Sequence, residues 1–369
     1  MHFADRPLSR RDWLLLPAVS LLTALTMTAS AETFCRIVWP DNEADTCASP
    51  TGNRPNCVVR LKNAEGPEYE YRFNECGYRS ETSCREKPPG TTRLVSMGTS
   101  IGMGLFVPAQ DLFANRAAKE LGEMLHRPVE AQNMESLTLT IRGIPGQVSA
   151  ALALRPDAIV FEICPYDLLS FAGFGTPAEV ANGVRKPLAG ETPSFAERIR
   201  FLMRESRFGF MAQHSLLTND AFLYRTYSNY GDPNDVLAQP PSPECERQYA
   251  GLGELFGELE EKLRGTGIPV FVLPIPTRLA AGMISDDVHI PNRDPEAFQR
   301  RLALLAAAHG MFVVDTAHYF RSSPHAERLY YPVDSHPGPQ AHILLGHALA
   351  MRLAEQFGVV TGTASHHGA

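Results

Sequence analysis

The 369-residue chain has no Cys-x-x-Cys pair, no basic run longer than two residues and no internal repeat. The first absence removes the usual ligand spacing of a structural zinc site, so the seven cysteines are read as disulfide or packing residues. The second, with a formal net charge of -7, argues against nucleic acid as a partner. The third excludes a repeat architecture. What remains is ordinary for a globular chain: 44% hydrophobic and 20% charged residues are enough for a well-filled core. The length allows two average domains or one large domain with additions.

The N-terminus carries an export signature. Arg6, Arg10 and Arg11 precede an apolar run from Trp13 to Ala31 that is free of charge, and acidic residues follow at Glu32, Asp41 and Glu43. Positive charge before the span and negative charge after it predict a cytoplasmic N-terminus with the remainder exported. The run is about long enough to cross a bilayer. It also ends Ala29-Ser30-Ala31, which resembles a signal-peptidase site, and Ser9-Arg10-Arg11 loosely resembles a twin-arginine signal. A retained anchor and a cleaved signal both fit; the leucine content favours the anchor. Either way the expected location is the periplasmic side of the inner membrane.

Cysteine use agrees with export. Cys35, Cys47, Cys57, Cys76 and Cys84 fall in the first quarter, in a stretch rich in Pro, Asn, Asp and Gly. In an oxidising compartment such a stretch is a disulfide-stapled region. Cys47 with Cys57 and Cys76 with Cys84 are plausible local pairs, but four cysteines allow three connectivities and the sequence does not choose. Cys35, close to the apolar span, is left unpaired.

After the linker Lys87-Pro88-Pro89-Gly90 the pattern changes. Short apolar runs at 93–98, 128–132, 157–163, 269–275 and 311–315 read as strands. Between them, 111–126, 147–154, 246–264 and 340–357 read as helices, and Asp294-Pro295 and Gly310 are read as the start and stop of another. Residues 168–245 are irregular, with helical candidates at 194–206 and 209–217 and a loop at 230–243. Strands with little polar alternation, separated by amphipathic helices, imply a parallel sheet covered on both faces, a three-layer α/β/α sandwich. Functional groups in such sheets gather at the carboxyl ends of the strands.

Candidates stand at those ends. Gly98-Thr99-Ser100 ends the first strand, where a serine is exposed and its N–H can face a developing oxyanion. Alone, a serine there is more often a turn residue or helix cap. Arg142-Gly143-Ile144-Pro145-Gly146 precedes a helix, and a glycine N–H there favours an anion. Ile163-Cys164-Pro165-Tyr166-Asp167 ends another strand. Near the C-terminus, Asp334-Ser335-His336-Pro337 leads into the last helix. His336 there could take a proton from a serine, and Asp334 could orient the ring.

These four blocks, in this order, resemble the SGNH hydrolase superfamily, the GDSL-type esterases. The resemblance covers about 93–358, with 168–245 as an insertion. It implies a flavodoxin-like sheet, Ser100 as nucleophile, His336 as base and Asp334 as orienting acid. Ser100 and Gly146 would supply oxyanion N–H groups. Two departures stand out. Thr99 occupies the position of the family's first-block Asp. Tyr166 stands where the Gly-x-Asn-Asp block offers an asparagine, and Cys164 replaces its glycine; the Tyr166 hydroxyl is the substitute donor on this reading. The segment Phe73-Asn74-Glu75-Cys76-Gly77-Tyr78-Arg79-Ser80 before the linker resembles a group of membrane-tethered bacterial members, which suggests work on envelope or surface glycans.

The implied activity is therefore hydrolysis of an O-acyl ester. An acyltransferase with the same triad and a non-catalytic binding protein are the alternatives. No cofactor and no metal ion is expected, and the partners are an acylated substrate and, through the N-terminal segment, a membrane. The expected organisation is 1–31 anchor or signal, 32–90 Cys-rich segment and linker, 91–360 hydrolase-like domain and 361–369 disordered tail. Cys164 is read as a packing thiol, Asp167 as a cap, and His342 as no metal ligand. Arg278 is read as either a substrate contact or a surface residue.

Overall fold

The computed structural model describes residues 10–40, 47–172, 206–227 and 234–359. The expected helix at 194–206 falls almost wholly outside these residues, as do part of the 230–243 loop and the 361–369 tail.

Every residue of three strands is buried: β5 (Thr92–Met97), β7 (Ala158–Ile163) and β8 (Val270–Pro274). Runs this apolar need cover on both sides. With β6 (Val129–Asn133) and the two-residue β9 (Phe312–Val313) they form one sheet in the order β6-β5-β7-β8-β9, and all neighbours are parallel. The order reverses beside β5, which makes its carboxyl end a topological switch point, where α/β folds open a crevice.

Alternate side chains of each strand supply two separate cores. Val95, Met97, Phe161 and Val272 face α4 (Val148–Ala153), α7 (Pro243–Leu263) and α9 (Ala297–Ala308). Leu94, Val160, Phe271 and Leu273 face α3 (Phe113–Leu125), α10 (Thr316–Arg321) and α11 (Pro339–Gln356). Helices α3 and α11 pack very closely: a Cβ on Gly346 would lie 2.5 Å from Arg116 Cβ and 2.9 Å from Phe113 O. The three-layer α/β/α architecture is thus the one the patterning predicts.

Details differ. The last strand is two residues, not five, because Asp315 instead caps α10 by accepting from His318 N. Helix α9 starts at Ala297; Asp294 forms a turn by accepting from Glu296 N, so it stands before the helix and not at its cap. Four of the described helices had no counterpart in the sequence reading: α6 (Asp220–Tyr227), α8 (Arg278–Ser285), α10 and the short α2 (Ser100–Met103).

Toward the N-terminus, α1 (Arg10–Val38) runs on without a break through Ala29-Ser30-Ala31. Its Trp13–Val38 portion is long and apolar enough to cross a membrane, and its most apolar 18-residue window holds no buried residue. The cysteine-rich stretch holds a small pair β1 (Ala48–Ser49) and β2 (Gly52–Asn53) and a hairpin of β3 (Val58–Lys62) and β4 (Glu68–Arg72). Disulfides Cys47–Cys57 and Cys76–Cys84 stand on either side of the hairpin, while Cys35, Cys164 and Cys245 are buried free thiols. Leu61, Tyr71 and Phe73 pack on Met103, Phe106 and Tyr331. The stretch also covers the open edge of the sheet: Arg79 N donates to Asn133 O at 3.0 Å, and Ser80 Oγ to Ala131 O at 2.7 Å. An unpaired edge would otherwise invite another chain.

Candidate active site

Strand β5 ends in Gly98 and Thr99, and the chain turns into the four-residue helix α2 (Ser100–Met103). The two nearby glycines are required by what lies beneath. A Cβ on Gly98 would come within 2.4 Å of Glu162 Oε2, and one on Gly102 within 1.9 Å of Glu135 Oε2. Thr99 N donates to Glu162 Oε2 at 3.2 Å, and its hydroxyl donates to Asp167 Oδ1 at 3.0 Å. Asn133 Nδ2 holds Gly102 O at 2.9 Å, while Arg79 Nη1 holds the carbonyls of Met103 and Gly104 at 2.7 Å each.

His336 arrives on a loop closed by a bridge between Tyr330 and Pro337. Tyr331 N donates to His336 O at 3.0 Å and Ser335 N to Tyr331 O at 2.9 Å. Ser335 sits in the left-handed region at φ +67°, a conformation costing a non-glycine residue about 1–2 kcal/mol. The turn brings its two neighbours to one side. His336 N donates to Asp334 Oδ1 at 3.1 Å, and the ring Nδ1 meets the same oxygen at 2.7 Å. Nε2 then lies 3.1 Å from Ser100 Oγ. Ser100, His336 and Asp334 form one hydrogen-bonded chain, within the range proton transfer requires.

Charge follows position. Burial pushes Asp334 up, but the His336 ring and its two hydrogen bonds outweigh that and hold the carboxyl below its ordinary value. A carboxylate at Nδ1 fixes that nitrogen as the donor and leaves Nε2 to accept the serine proton. Beneath Ser100 the balance is opposite. Glu135 and Glu162 are fully buried. Burial first, and then neighbouring carboxyls, raise both well above the carboxylate range. Asp167 is raised by burial too, against the pull of the Cys164 N–H and the Thr99 hydroxyl. It caps the turn Pro165–Phe171 through Cys164 N at 2.8 Å, the capping role read for it from sequence.

Glu162, Cys164 and Asp167 are near enough to one another to share a cation. Their donors are engaged otherwise. Both Asp167 oxygens and Glu162 Oε2 accept from protein groups, and burial keeps Cys164 a thiol by raising it well above its ordinary value. His342 is a core residue, stacked on Phe113 and lowered by burial to about 3.

The two remaining expected residues lie on the same sheet edge. Tyr166 is half-buried in the turn after β7 and packs on the second core. Gly146 is exposed in the turn Ile141–Gln147, and a Cβ there would meet nothing within 4 Å. Packing therefore does not demand a glycine at 146. Arg278 is neither surface residue nor free substrate ligand. It is buried and donates to the carbonyls of Glu327, Pro332 and Leu217 at 2.8–3.0 Å. Sequence reasoning missed Arg79, Glu135 and Glu162 around the nucleophile. Of these only Glu162 left a signal, as a lone acid inside the apolar strand Ala158–Ile163.

No known family profile matches the chain, and no curated protein does. Solved structures do. A lipase from a goat rumen metagenome is 15% identical over 71% of this chain and 97% of its own, with a TM-score of 0.38. TesA is 15% identical over 72% and 99%, at 0.41. A catalytic mutant of Axe2, an acetylxylan esterase from Geobacillus stearothermophilus, is 13% identical over 73% and 96%, at 0.38. Likeness at this level carries no argument about activity; the fold stands on the strand order and the site on its distances. Together these define an α/β protein with a serine, a histidine and an aspartate in hydrogen-bonded series at the switch point of a parallel sheet.

Proposed function

We propose that the chain is a serine esterase of the SGNH superfamily that removes an O-acyl group, and that it works after export. The observation that carries this is the unbroken series Ser100 Oγ, His336 Nε2, His336 Nδ1, Asp334 Oδ1 at 3.1 and 2.7 Å. The Ser100 proton passes to Nε2 as Oγ bonds to the acyl carbon, and the carbonyl electron pair moves onto its oxygen. The N–H groups of Ser100 and Gly146, with the Tyr166 hydroxyl, are the donors assigned to that oxyanion. As the tetrahedral species collapses, the leaving alkoxide takes the proton from His336. Water then repeats the sequence and releases the acid.

Helix α1 is the membrane anchor or signal in this reading, 32–90 the exported disulfide segment and 91–360 the catalytic domain. Two disulfides and one apolar helix support export. The acyl group is placed on an envelope or surface glycan because the N-terminal arrangement resembles tethered bacterial enzymes. The test is intact mass of folded, oxidised protein after a fluorophosphonate. A single adduct on the parent and none on Ser100→Ala is expected; a folded parent that takes no adduct would overturn the proposal.

A further inference from the structure

Outside the triad, one fully buried acid has no role in the chemistry above and yet touches the base loop. Glu65 sits at the tip of the β3–β4 hairpin, where Glu65 N donates to Asn63 Oδ1 at 2.9 Å and Gly66 N to Asn63 O at 3.1 Å. Gly66 lies against Tyr331: a Cβ there would be 2.9 Å from the ring. The Glu65 side chain has no exposure. Its oxygens accept from Val333 N at 3.0 and 3.2 Å and from Asp334 N at 3.0 Å. These two N–H groups follow Pro332, which has none, and precede the left-handed Ser335, so no regular ladder satisfies them.

A second partner holds Glu65 in turn. His214 of α5 (Arg207–Leu217) places Nδ1 2.7 Å from Glu65 Oε1. The C-terminal end of the same helix is tied to the loop separately, since Arg278 bonds both Leu217 O and Pro332 O. The helix and the hairpin thus converge on residues 332–334, directly before the acid and base.

We propose that Glu65 is a positioning residue for the triad, with His214 its support: the carboxylate fixes the Val333–Asp334 backbone, and so the angle at which Asp334 meets the His336 ring. This rests on the esterase reading for its kinetic consequence, though not for its geometry. Displacement of a catalytic group by about 1 Å costs on the order of 100-fold in rate.

The experiment uses the full chain in its oxidised form and two readouts, both per folded molecule and below the melting transition. One is the rate of fluorophosphonate labelling. The other is the downfield proton resonance of the His336 Nδ1–H shared with Asp334. Glu65→Ala is expected to slow labelling about 100-fold and to remove or shift the resonance. Glu65→Gln, which keeps one acceptor oxygen, should recover about tenfold of that loss. His214→Gln should slow labelling by a few-fold, and adding it to Glu65→Ala should change nothing further, as expected for residues acting in series.

A purely structural Glu65 would lower the melting temperature while leaving both readouts at parent values, and that result overturns the proposal. If Glu65→Ala does not fold, Glu65→Gln is judged by the same two readouts. If the parent itself takes no adduct, the esterase reading fails, and the resonance alone decides whether Glu65 orients the pair.

Discussion

The Ser100 turn and the His336 loop are both irregular segments at one sheet edge, and both rest on carboxyl groups, yet the surroundings move those carboxyls in opposite directions. Under the turn, Glu135 and Glu162 are sealed from water, and Thr99 N donates to Glu162 Oε2. Burial raises both carboxyls well above their ordinary value. Under the loop, Asp334 has the His336 ring and the His336 N–H, and it stays charged. The number of donors offered to a carboxyl, set against the water it loses, decides which form exists. Beneath Ser100 the surroundings favour the uncharged form of both acids. Asp334 gives His336 a counter-ion for the moment it carries the proton.

The sharpest way to break this comparison is to neutralise the charged member. Asp334→Asn keeps the shape but reverses the preferred tautomer of His336, and labelling of Ser100 is expected to fall about 1000-fold. Next is intrusion on the Ser100 side. Gly102→Ala places a methyl 1.9 Å from Glu135 Oε2. Overpacking of this kind costs about 1–3 kcal/mol, read as a lower melting temperature, and the shift of α2 should slow labelling as well.

The smallest expected effect is the most diagnostic. Glu162→Gln replaces a carboxyl that burial pushes toward its uncharged form by an uncharged amide of the same shape, so labelling should stay close to the parent's. Its signature lies in stability against pH. A carboxyl whose folded pKa is raised contributes stability in full below its ordinary 4.5 and loses it as pH climbs toward the folded value. Each such group contributes a slope of up to about 1.4 kcal/mol per pH unit. As pH rises above 4.5, melting temperatures should therefore decline more gently in Glu162→Gln than in the parent. Identical slopes would mean that Glu162 is already ionised.

The same two segments show what a sequence makes legible. Ser100 and the Asp334/His336 pair were readable because each sits where an apolar run stops or a helix starts, and that punctuation is local. The fully buried strands 92–97 and 158–163 were readable for the same reason. Glu65 and Arg79 were not. Each is one polar residue in a polar, turn-rich stretch, and its partners lie far along the chain, Glu65's at Val333 and Arg79's at Met103. No periodicity announces a contact of that range. Arg278 was misread by the same mechanism: an arginine after a strand looks solvated until three backbone carbonyls close around it. The Met311–Asp315 strand was overextended because its apolar residues are real, but Asp315 serves a helix cap.

Glu65 reaches the base loop from a hairpin that lies between Cys57 and Cys76, each locked to a partner outside it. Maturation follows from that placement. Before the two bonds form, Ser100 and His336 already exist, but the hairpin that seats their loop has no covalent frame. On the esterase reading proposed above, oxidation and not synthesis would then be the event that completes the site. Labelling the same preparation before and after mild reduction of both bonds is the direct check, and equal rates in the two states would remove this timing role.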